Sequence, residues 1–385
     1  MGDTRVRGRA GRRGGVIRTA ALVAAAVGLT AGAVSVAGDG ADHNGGAGGA
    51  ARAAPTGAAA GARPGPERTA AVEGPRSAPA PSRPSTASPP PRPGPPWAAA
   101  DRLYRHHDTQ AAAWVRTHGS DPRRPLIASR IAARPTAVWF ADHRAGALTA
   151  RVRAVTARAG GRVPVLVAYA IPGRDCGGHS GGGAPDLAAY GRWIERFAAG
   201  LGSREAVVIL EPDAVALSQC LSPGERARRF AALARAGRVL KRANPQARVY
   251  HDGGHSGWHA PARQADWLRR AGAAAPASSD GVFTNVSNFH RTAREVAYAR
   301  RVLAALGGPR GLGAVIDTSR NGNGAPADGR WCDPPGRGIG RPPTLRTGAA
   351  RVDAYLWIKL PGESDGCRGR PGTFSPGYAY DLARG

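Results

Sequence analysis

Beyond residue 97 the chain alternates short apolar runs with longer segments in which apolar residues recur at helical spacing. Short apolar runs are typical of strands buried on both faces, and the longer period is typical of amphipathic helices. We therefore predict seven strands, at 136–140, 163–170, 206–211, 248–252, 281–286, 313–317 and 354–359. Helices are predicted between them, at 145–159, 186–201, 223–243, 260–271 and 291–306. This alternation favours an α/β fold, either a β/α barrel or an open doubly wound sheet.

The helix predicted at 223–243 has the clearest boundaries. Ser222 precedes it and Glu225 follows three residues later, which is the pattern of a capping box. Pro245 lies just beyond its last residue, where a helix commonly stops.

Polar residues follow the predicted strands at the point where each strand ends. They are Asp175, Asp213, Asp252, Asn285, Asn288, Asp317, Lys359, Glu363 and Asp365. Active sites of β/α barrels assemble at the carboxyl ends of the strands, so this distribution favours a barrel over an open sheet. The chain has no GxGxxG after its first predicted strand and no P-loop.

The first 96 residues have a different composition from the rest. Several arginines precede an apolar run at 19–37 that ends in small residues, which predicts a signal peptide at 1–37 or, alternatively, an N-terminal membrane anchor. Residues 38–96 are almost entirely Gly, Ala, Pro, Arg, Ser and Thr, too few apolar groups to offset the entropy of folding. We predict a disordered linker there and one catalytic domain at 97–385, exported from the cytoplasm.

Charge and cysteine content exclude two classes of partner. The chain has 54 basic and 27 acidic residues, but its arginines are scattered and no nucleic-acid-binding motif is visible. We predict no nucleic-acid partner. The four cysteines suggest two disulfides with three conceivable pairings in an exported protein, and none has metal-site spacing. We predict no metal and no cofactor.

Carboxylates and tryptophans converge on the predicted barrel edge. Glycoside hydrolysis needs one protonated carboxyl group for the leaving oxygen and ionised carboxylates that activate water and stabilise an oxocarbenium-like state. Flat aromatic faces suit the apolar C–H surfaces of sugar rings. These residue types therefore point to a carbohydrate hydrolase.

The motifs around these residues resemble glycoside hydrolase family 6, the inverting cellulases. They occur in order as IPGRDC (171–176), EPD (211–213), DGGHSGW (252–258), TNVSN (284–288), DTSRNG (317–322), WCDPPGR (331–337) and KLPGESDG (359–366). The resemblance implies a distorted seven-stranded parallel β/α barrel, similar to a TIM barrel, and a β-1,4-glucan or cello-oligosaccharide substrate.

The resemblance implies six residues in the chemistry. Asp213 would be the general acid, and Asp175 would raise the pKa of that acid and help to place the water. The other four would support them: Tyr169 distorts the sugar ring, Ser180 holds the water, Asp252 supports the charge state of the acid, and Asp365 is either the base or a ligand of the −1 sugar.

Nine further residues would bind sugars by the same resemblance: Trp139, His255, Trp258, Asn285, Asn288, Trp331, Trp357, Lys359 and Glu363. Trp139 would stack on a donor-side unit and Trp258 on an acceptor-side unit. The resemblance also implies disulfides Cys176–Cys220 and Cys332–Cys367.

Other conspicuous residues have structural interpretations. Glu211 is expected in a buried ion pair, Trp114, Trp193 and Trp267 in the core, and His106, His107 and His290 on the surface or in the core. Asp333 departs from the asparagine common in the family and is expected to add a negative charge near Trp331.

The sequence thus predicts a secreted, monomeric endo-β-1,4-glucanase that inverts the anomeric configuration, with its acid and base carboxyl groups about 6.5–9.5 Å apart. The alternatives are action on another β-glucan or cell-wall polysaccharide, a cellobiohydrolase mode, or a catalytically weak, basic polysaccharide-binding protein.

Overall fold

A computed structural model describes residues 102–144 and 146–385. Within them, seven strands form one sheet whose spatial order follows the chain, and all neighbouring strands are parallel. The strands are β1 (Val138–Phe140), β2 (Val165–Ala168), β3 (Ala206–Leu210), β4 (Ala247–Asp252), β5 (Gly281–Thr284), β6 (Gly313–Asp317) and β7 (Val352–Leu356). All seven predicted strands are present, with their ends shifted by a few residues.

The five predicted helices are also present. The α-helices are α1 (Gln110–Thr117), α2 (Arg124–Ile127), α3 (Leu148–Arg158), α4 (Leu187–Ala198), α5 (Pro223–Ala243), α6 (Pro261–Arg270), α7 (Thr292–Leu306) and α8 (Pro376–Arg384). At α5 the predicted capping box forms: the Ser222 side chain accepts a hydrogen bond from the Glu225 N–H, and the Glu225 carboxylate accepts one from the Ser222 N–H. The sequence analysis missed α1, α2 and α8.

Both faces of the sheet are buried, as parallel strands require. In β2 the side chains alternate: Val165 and Val167 belong to the cluster inside the curled sheet, whereas Leu166 and Ala168 pack against the helix layer. Trp193 and Trp267 lie in the helix layer and Trp114 in a smaller cluster with α8, so all three are core residues as predicted.

The sheet curls into a partial barrel whose two edges meet beside β1 and β7. The Ala137 N–H donates to the Trp357 carbonyl at 3.0 Å, and the Trp139 indole N–H donates to the Ile358 carbonyl at 2.8 Å. These bonds join the chain around β1 to the chain after β7. The fold is the distorted seven-stranded α/β barrel that the sequence predicted.

Two disulfides connect loops at the carboxyl ends of the strands. Cys176–Cys220 joins the loops after β2 and β3, with Cα atoms 6.1 Å apart, and Cys332–Cys367 joins the loops after β6 and β7, with Cα atoms 5.8 Å apart. The predicted pairing is confirmed.

The predicted signal peptide or anchor at 1–37 and the linker at 38–96 lie outside the described residues. In the part of the chain that the structure describes, no helix combines the length and the apolarity needed to span a bilayer.

Candidate active site

A groove of about 1380 Å³ lies at the carboxyl ends of the strands. It is larger than the roughly 300–1,000 Å³ of clefts for ordinary small molecules, as a site for a polymer requires. Most of the predicted residues line it: Trp139, Tyr169, Asp175, Ser180, Asp213, His255, Trp258, Asn288, Trp331, Lys359, Glu363 and Asp365. Asp252, Asn285 and Trp357 do not.

Asp213 lies in the turn that follows β3. Its φ is +69° and that of Glu211 is +51°, a left-handed backbone that non-glycine residues adopt at some cost. Burial, followed by the charges of Asp252, Asp175 and Asp365, raises the pKa of Asp213 well above its ordinary value. The carboxyl group therefore keeps its proton at a pH where an exposed aspartate has lost it.

Asp252 lies beneath this turn, at the end of β4. One carboxylate oxygen accepts hydrogen bonds from the Val215 and Ala216 N–H groups at 3.0 and 2.8 Å, and the other accepts one from the Gly254 N–H at 2.9 Å. Burial raises the pKa of Asp252, and these donors oppose that effect. The residue is buried, so it influences Asp213 from below rather than touching a ligand in the groove.

Asp175 and Ser180 belong to one loop after β2. An Asp175 carboxylate oxygen accepts a hydrogen bond from the Ser180 N–H at 2.7 Å. Arg174 fixes this loop by donating to the carbonyls of Ser180 (2.8 Å), Ala141 (2.8 Å) and Tyr169 (2.5 Å). Sequence analysis did not single out Arg174, although it lies within the IPGRDC motif.

Tyr169 projects from the end of β2 against Trp139. The two rings meet edge to face with centroids 5.2 Å apart, and the Arg174 guanidinium covers Tyr169 at 4.6 Å. Burial, together with the charges of Asp213 and Asp175, raises the pKa of Tyr169. Its hydroxyl is therefore a permanent hydrogen-bond donor beside those two carboxyl groups.

Asp365 lies between two cations. One oxygen accepts a hydrogen bond from Arg320 at 2.7 Å, and the other is 3.1 Å from the Lys359 ammonium group. The Asp333 N–H also donates to Asp365, at 3.2 Å. Two basic side chains therefore hold the Asp365 carboxyl group in place at the groove.

Arg320 was not identified from sequence, yet it organises this part of the groove. Its side chain is fully buried, donates to Tyr378 Oη at 3.1 Å and to the Ser287 carbonyl, and lies 4.4 Å from the centroid of the Phe289 ring. Its position in the DTSRNG motif, which begins at the end of β6, is the feature of the sequence by which it could have been identified.

Asp333 differs from its expected role. Its carboxylate is buried and accepts hydrogen bonds from the Ser364 hydroxyl and from the N–H groups of Asp365, Cys367 and Arg368. Burial opposes ionisation, but these donors outweigh it and lower the pKa of Asp333. Its charge therefore orders the loop after β7 and is not presented to the groove beside Trp331.

Glu363 lines the groove next to Lys359. Burial raises the pKa of Glu363 to about 7, against the opposing effects of the Lys359 charge and a hydrogen bond from Gln110. The Gln110 amide donates to Glu363 at 2.8 Å. Gln110 begins α1, a helix that sequence analysis missed, and so its contribution to the groove was missed with it.

A stack of aromatic rings lies on the loops after β4 and β5. The His255 ring is 4.3 Å from Trp258 and 4.4 Å from His290, between centroids. Burial, then the charges of His290 and Arg294, lower the pKa of His255 to about 3, so the ring is neutral. His290, expected on the surface or in the core, lines the groove instead.

Gly254 allows this stack to form. Its φ is +63°, and an added Cβ atom would lie 2.7 Å from the Ala216 Cβ and 2.8 Å from the Trp258 ring. A side chain at this position would therefore displace Trp258 from the groove wall.

Two predicted sugar-binding residues are buried and require correction. Asn285 is 0% exposed, and its amide bonds the backbone of His290 and the Asp317 carbonyl. Trp357 is 1% exposed and donates its indole N–H to the Arg341 carbonyl at 3.0 Å. Both therefore hold backbone in place behind the groove, where no sugar reaches them.

Glu211 is held by backbone hydrogen bonds and not by the ion pair that was expected. Its carboxylate accepts hydrogen bonds of 2.9–3.0 Å from the N–H groups of Ala170 and Ile171. Burial raises the pKa of Glu211 to about 7 against these donors. Glu211 thus fixes the chain after β2, which carries Tyr169 and Asp175.

Replacing Trp331 and Trp357 separately tests which of the two tryptophans binds sugar. Trp331→Ala is expected to raise KM for cello-oligosaccharides about three- to tenfold, the loss of one aromatic contact, with unchanged stability because this ring is 51% exposed. Trp357→Phe is expected to lower the free energy of unfolding by about 1–2 kcal/mol and leave KM unchanged. Steady-state kinetics and urea unfolding of both variants provide the check, and a raised KM in Trp357→Phe alone would restore the original prediction.

One grouping of metal-ligand type occurs among residues 102–144 and 146–385. It consists of His179, Cys332 and Cys367. Both sulfur atoms form the second disulfide, so the thiolates that a metal needs are not present and His179 alone remains.

Comparison with known proteins gives one consistent result. The model of the family "Glycosyl hydrolases family 6" matches residues 98–377. Endoglucanase 1 of Streptomyces sp. (strain KSM-9) is 54% identical over 286 residues, covering 74% of this chain and 78% of the relative. Endoglucanase A of Thermobispora bispora is 48% identical over 293 residues, covering 75% of this chain and 63% of the relative.

A solved structure agrees with both. It is the endoglucanase Cel6 from Mycobacterium tuberculosis in complex with methyl-cellobiosyl-4-deoxy-4-thio-β-D-cellobioside. The TM-score is 0.69 at 39% sequence identity, over 75% of this chain and 98% of the other.

Proposed function

The chain belongs to glycosyl hydrolases family 6 and is a glycoside hydrolase, and we propose that it cleaves internal β-1,4 linkages of a cellulose-type glucan with inversion of configuration. The observation that carries this proposal is the environment of Asp213. A carboxyl group with a strongly raised pKa lines a long groove together with the carboxylates of Asp175 and Asp365. This is the separation of protonation states that glycoside hydrolysis needs.

In the proposed reaction Asp213 donates its proton to the oxygen of the departing sugar. The bond between the anomeric carbon and this oxygen breaks, and its electron pair stays on the oxygen. Positive charge therefore develops on the ring that remains in the donor site. Asp365 lies close enough to influence Asp213 electrostatically, and Arg320 and Lys359 hold its carboxyl group in place. Its carboxylate stabilises the positive charge that develops on that ring.

Asp175 and Ser180 are the proposed holders of the attacking water. Asp175 is fixed by the Ser180 N–H, and the Ser180 backbone is fixed in turn by Arg174, so both side chains are held along one wall of the groove. Both oxygens of Asp365 are already occupied by cations, which makes it a poor acceptor for the proton of the water. We therefore propose that the Asp175 carboxylate accepts this proton as the water oxygen bonds to the anomeric carbon.

Accessible aromatic surfaces support an endo mode of action. Trp331 is 51% exposed and Trp258 is 37% exposed, although both line the groove. Loops that enclosed a chain end in a tunnel would cover such rings. A glucan can therefore enter laterally, and the two relatives and the solved structure described above are all named endoglucanases.

Export from the cytoplasm is part of the proposal. Two disulfides link loops that shape the groove, and disulfides persist mainly in oxidising compartments. Insoluble or polymeric glucan outside the cell is the substrate class that matches this location.

The test is proton NMR of the first products formed from cellohexaose. Inversion of a β linkage predicts that the new reducing ends appear as the α-anomer and only later reach the equilibrium mixture. Initial release of β-anomer contradicts inversion, and absence of products contradicts the proposed activity.

A further inference from the structure

The groove extends beyond the residues assigned to sugars so far. Two chain segments line it on this side: residues 106 and 108–110, which lead into α1, and residues 370–373, in the loop after β7. None of the proposed catalytic or binding roles uses them. They meet Glu363 on the donor side, where Trp139 and Lys359 also lie.

Gln110 joins these two segments into one wall. Its amide nitrogen donates to the Glu363 carboxylate at 2.8 Å and to the Gly372 carbonyl at 2.7 Å, and its amide oxygen accepts from the Phe374 N–H at 3.0 Å. All the hydrogen-bonding groups of this side chain that face the loop are thus engaged. The wall is therefore a built feature that includes Glu363.

Two side chains on this wall retain hydrogen-bonding capacity. In the described part of the chain, Arg370 has no carboxylate within 4.0 Å, although its guanidinium carries five donors. The Nδ1 atom of His106 is buried and has no hydrogen-bond partner among the described residues. A buried polar atom without a partner is costly unless a ligand or water satisfies it.

Sugar hydroxyls match both groups, because each hydroxyl donates one hydrogen bond and accepts two. We propose that His106 and Arg370 contact a third donor-side glucosyl unit, beyond the two served by Trp139, Lys359 and Glu363. This inference rests on the proposed function and deepens it. A third donor-side site also requires that the groove stay open beyond the second sugar, which favours internal cleavage over removal of cellobiose from chain ends.

The test is the cleavage pattern of cellopentaose carrying a chromophore at its reducing end. Cleavage with three glucoses on the donor side releases the labelled disaccharide, whereas cleavage with two releases the labelled trisaccharide. We expect the full chain to release both, and Arg370→Ala and His106→Ala each to lower the disaccharide-to-trisaccharide ratio about three- to tenfold. The ratio is internal to each digest, so partial unfolding of a variant does not change it.

Arg238→Ala is the matched control. Arg238 is exposed on α5 and does not line the groove, so its loss should leave the ratio unchanged. A wild-type protein that releases the labelled trisaccharide alone, or an unchanged ratio in both groove variants, overturns the third site.

Binding separates this inference from the proposed activity. In an Asp213→Asn background, where cleavage is greatly slowed, Arg370→Ala should raise the Kd for cellopentaose about three- to tenfold by calorimetry, with a smaller effect for cellobiose. If the wild-type protein cleaves nothing but this difference appears, the proposed reaction fails and the sugar site stands. Equal affinities with and without Arg370 overturn the site even if hydrolysis is observed.

Discussion

Replacing Asp213 with asparagine is expected to lower kcat on cellohexaose by a factor of about 10²–10⁴, as removal of a general acid does. Asparagine keeps the size of the side chain and removes the proton that the leaving oxygen requires. KM is expected to change much less, because the donor and acceptor contacts along the groove remain. Steady-state release of reducing sugar measures both constants.

The pH dependence identifies the reason for the loss. Asp213 acts in its protonated form, and burial with three neighbouring carboxylates raises its pKa. In the wild-type protein kcat should therefore fall as pH rises through that raised pKa, where the acid is lost. The residual activity of Asp213→Asn should lack this alkaline decline, because asparagine does not titrate.

Asp266→Asn provides the matched control. Asp266 is an exposed aspartate on α6 that pairs with Arg269 and does not line the groove. Its replacement should leave kcat and the pH profile unchanged. If Asp213→Asn retains wild-type kcat, or if its alkaline decline persists, another group donates the proton.

Hydrophobic patterning was sufficient to predict the sheet. Strands buried on both faces produce uninterrupted apolar runs, and these runs marked all seven strands and hence the edge at which Asp175, Asp213 and Asp365 meet. The helices that were missed are α1, α2 and α8, which lie outside the strand–helix alternation. Their amphipathic signal is short, although Thr109 and Ser375 do cap α1 and α8.

Which polar residues face the groove was less predictable. Asn285 lies in the TNVSN motif and Trp357 two residues before the KLPGESDG motif, close in sequence to residues that do line it, but the side-chain N–H groups of both donate to backbone carbonyls. The direction of a side chain after a strand depends on the local turn, as the φ of +70° at Asn285 illustrates. Membership in a motif therefore does not show whether a residue contacts the ligand or positions another residue that does.

Arg320 and Gln110 contribute to the groove although neither was predicted from the sequence. Arg320 lies 45 residues before the aspartate it pairs with, and Gln110 lies 253 residues before Glu363. Contacts between residues so far apart in the chain depend on how the barrel closes. The hydrophobic pattern predicts that the barrel forms, but it does not predict which side chains of distant loops meet. The sequence therefore did not show which residues Arg320 and Gln110 would pair with, although Arg320 lies in the DTSRNG motif.

Replacing Arg320 with methionine is expected to lower the free energy of unfolding by about 3–5 kcal/mol, as loss of one partner from a buried ion pair does. The guanidinium is fully buried, 2.7 Å from Asp365 and 4.0 Å from Asp333. Methionine fills part of the volume but leaves Asp365 with Lys359 as its remaining ion-pair partner among the described residues. Urea unfolding at neutral pH measures the loss.

Arg158→Met is the matched control, because Arg158 forms an exposed ion pair with Asp108 at 3.2 Å. Surface pairs contribute less than about 1 kcal/mol, so this variant should unfold almost as the wild type does. Equal losses in the two arginine variants would show that burial of the Arg320 pair has no special importance.

The double variant Arg320→Met, Asp365→Asn separates charge from packing. If the single variant is unstable because the buried Asp365 has lost an ion-pair partner, replacing Asp365 as well should restore part of the loss, and the two substitutions should couple by more than about 1 kcal/mol. If nothing is restored, Arg320 stabilises the fold through its contacts with Phe289 and the Ser287 carbonyl instead. In that case kcat of a folded Arg320→Met enzyme should approach the wild-type value, because Lys359 still pairs with Asp365.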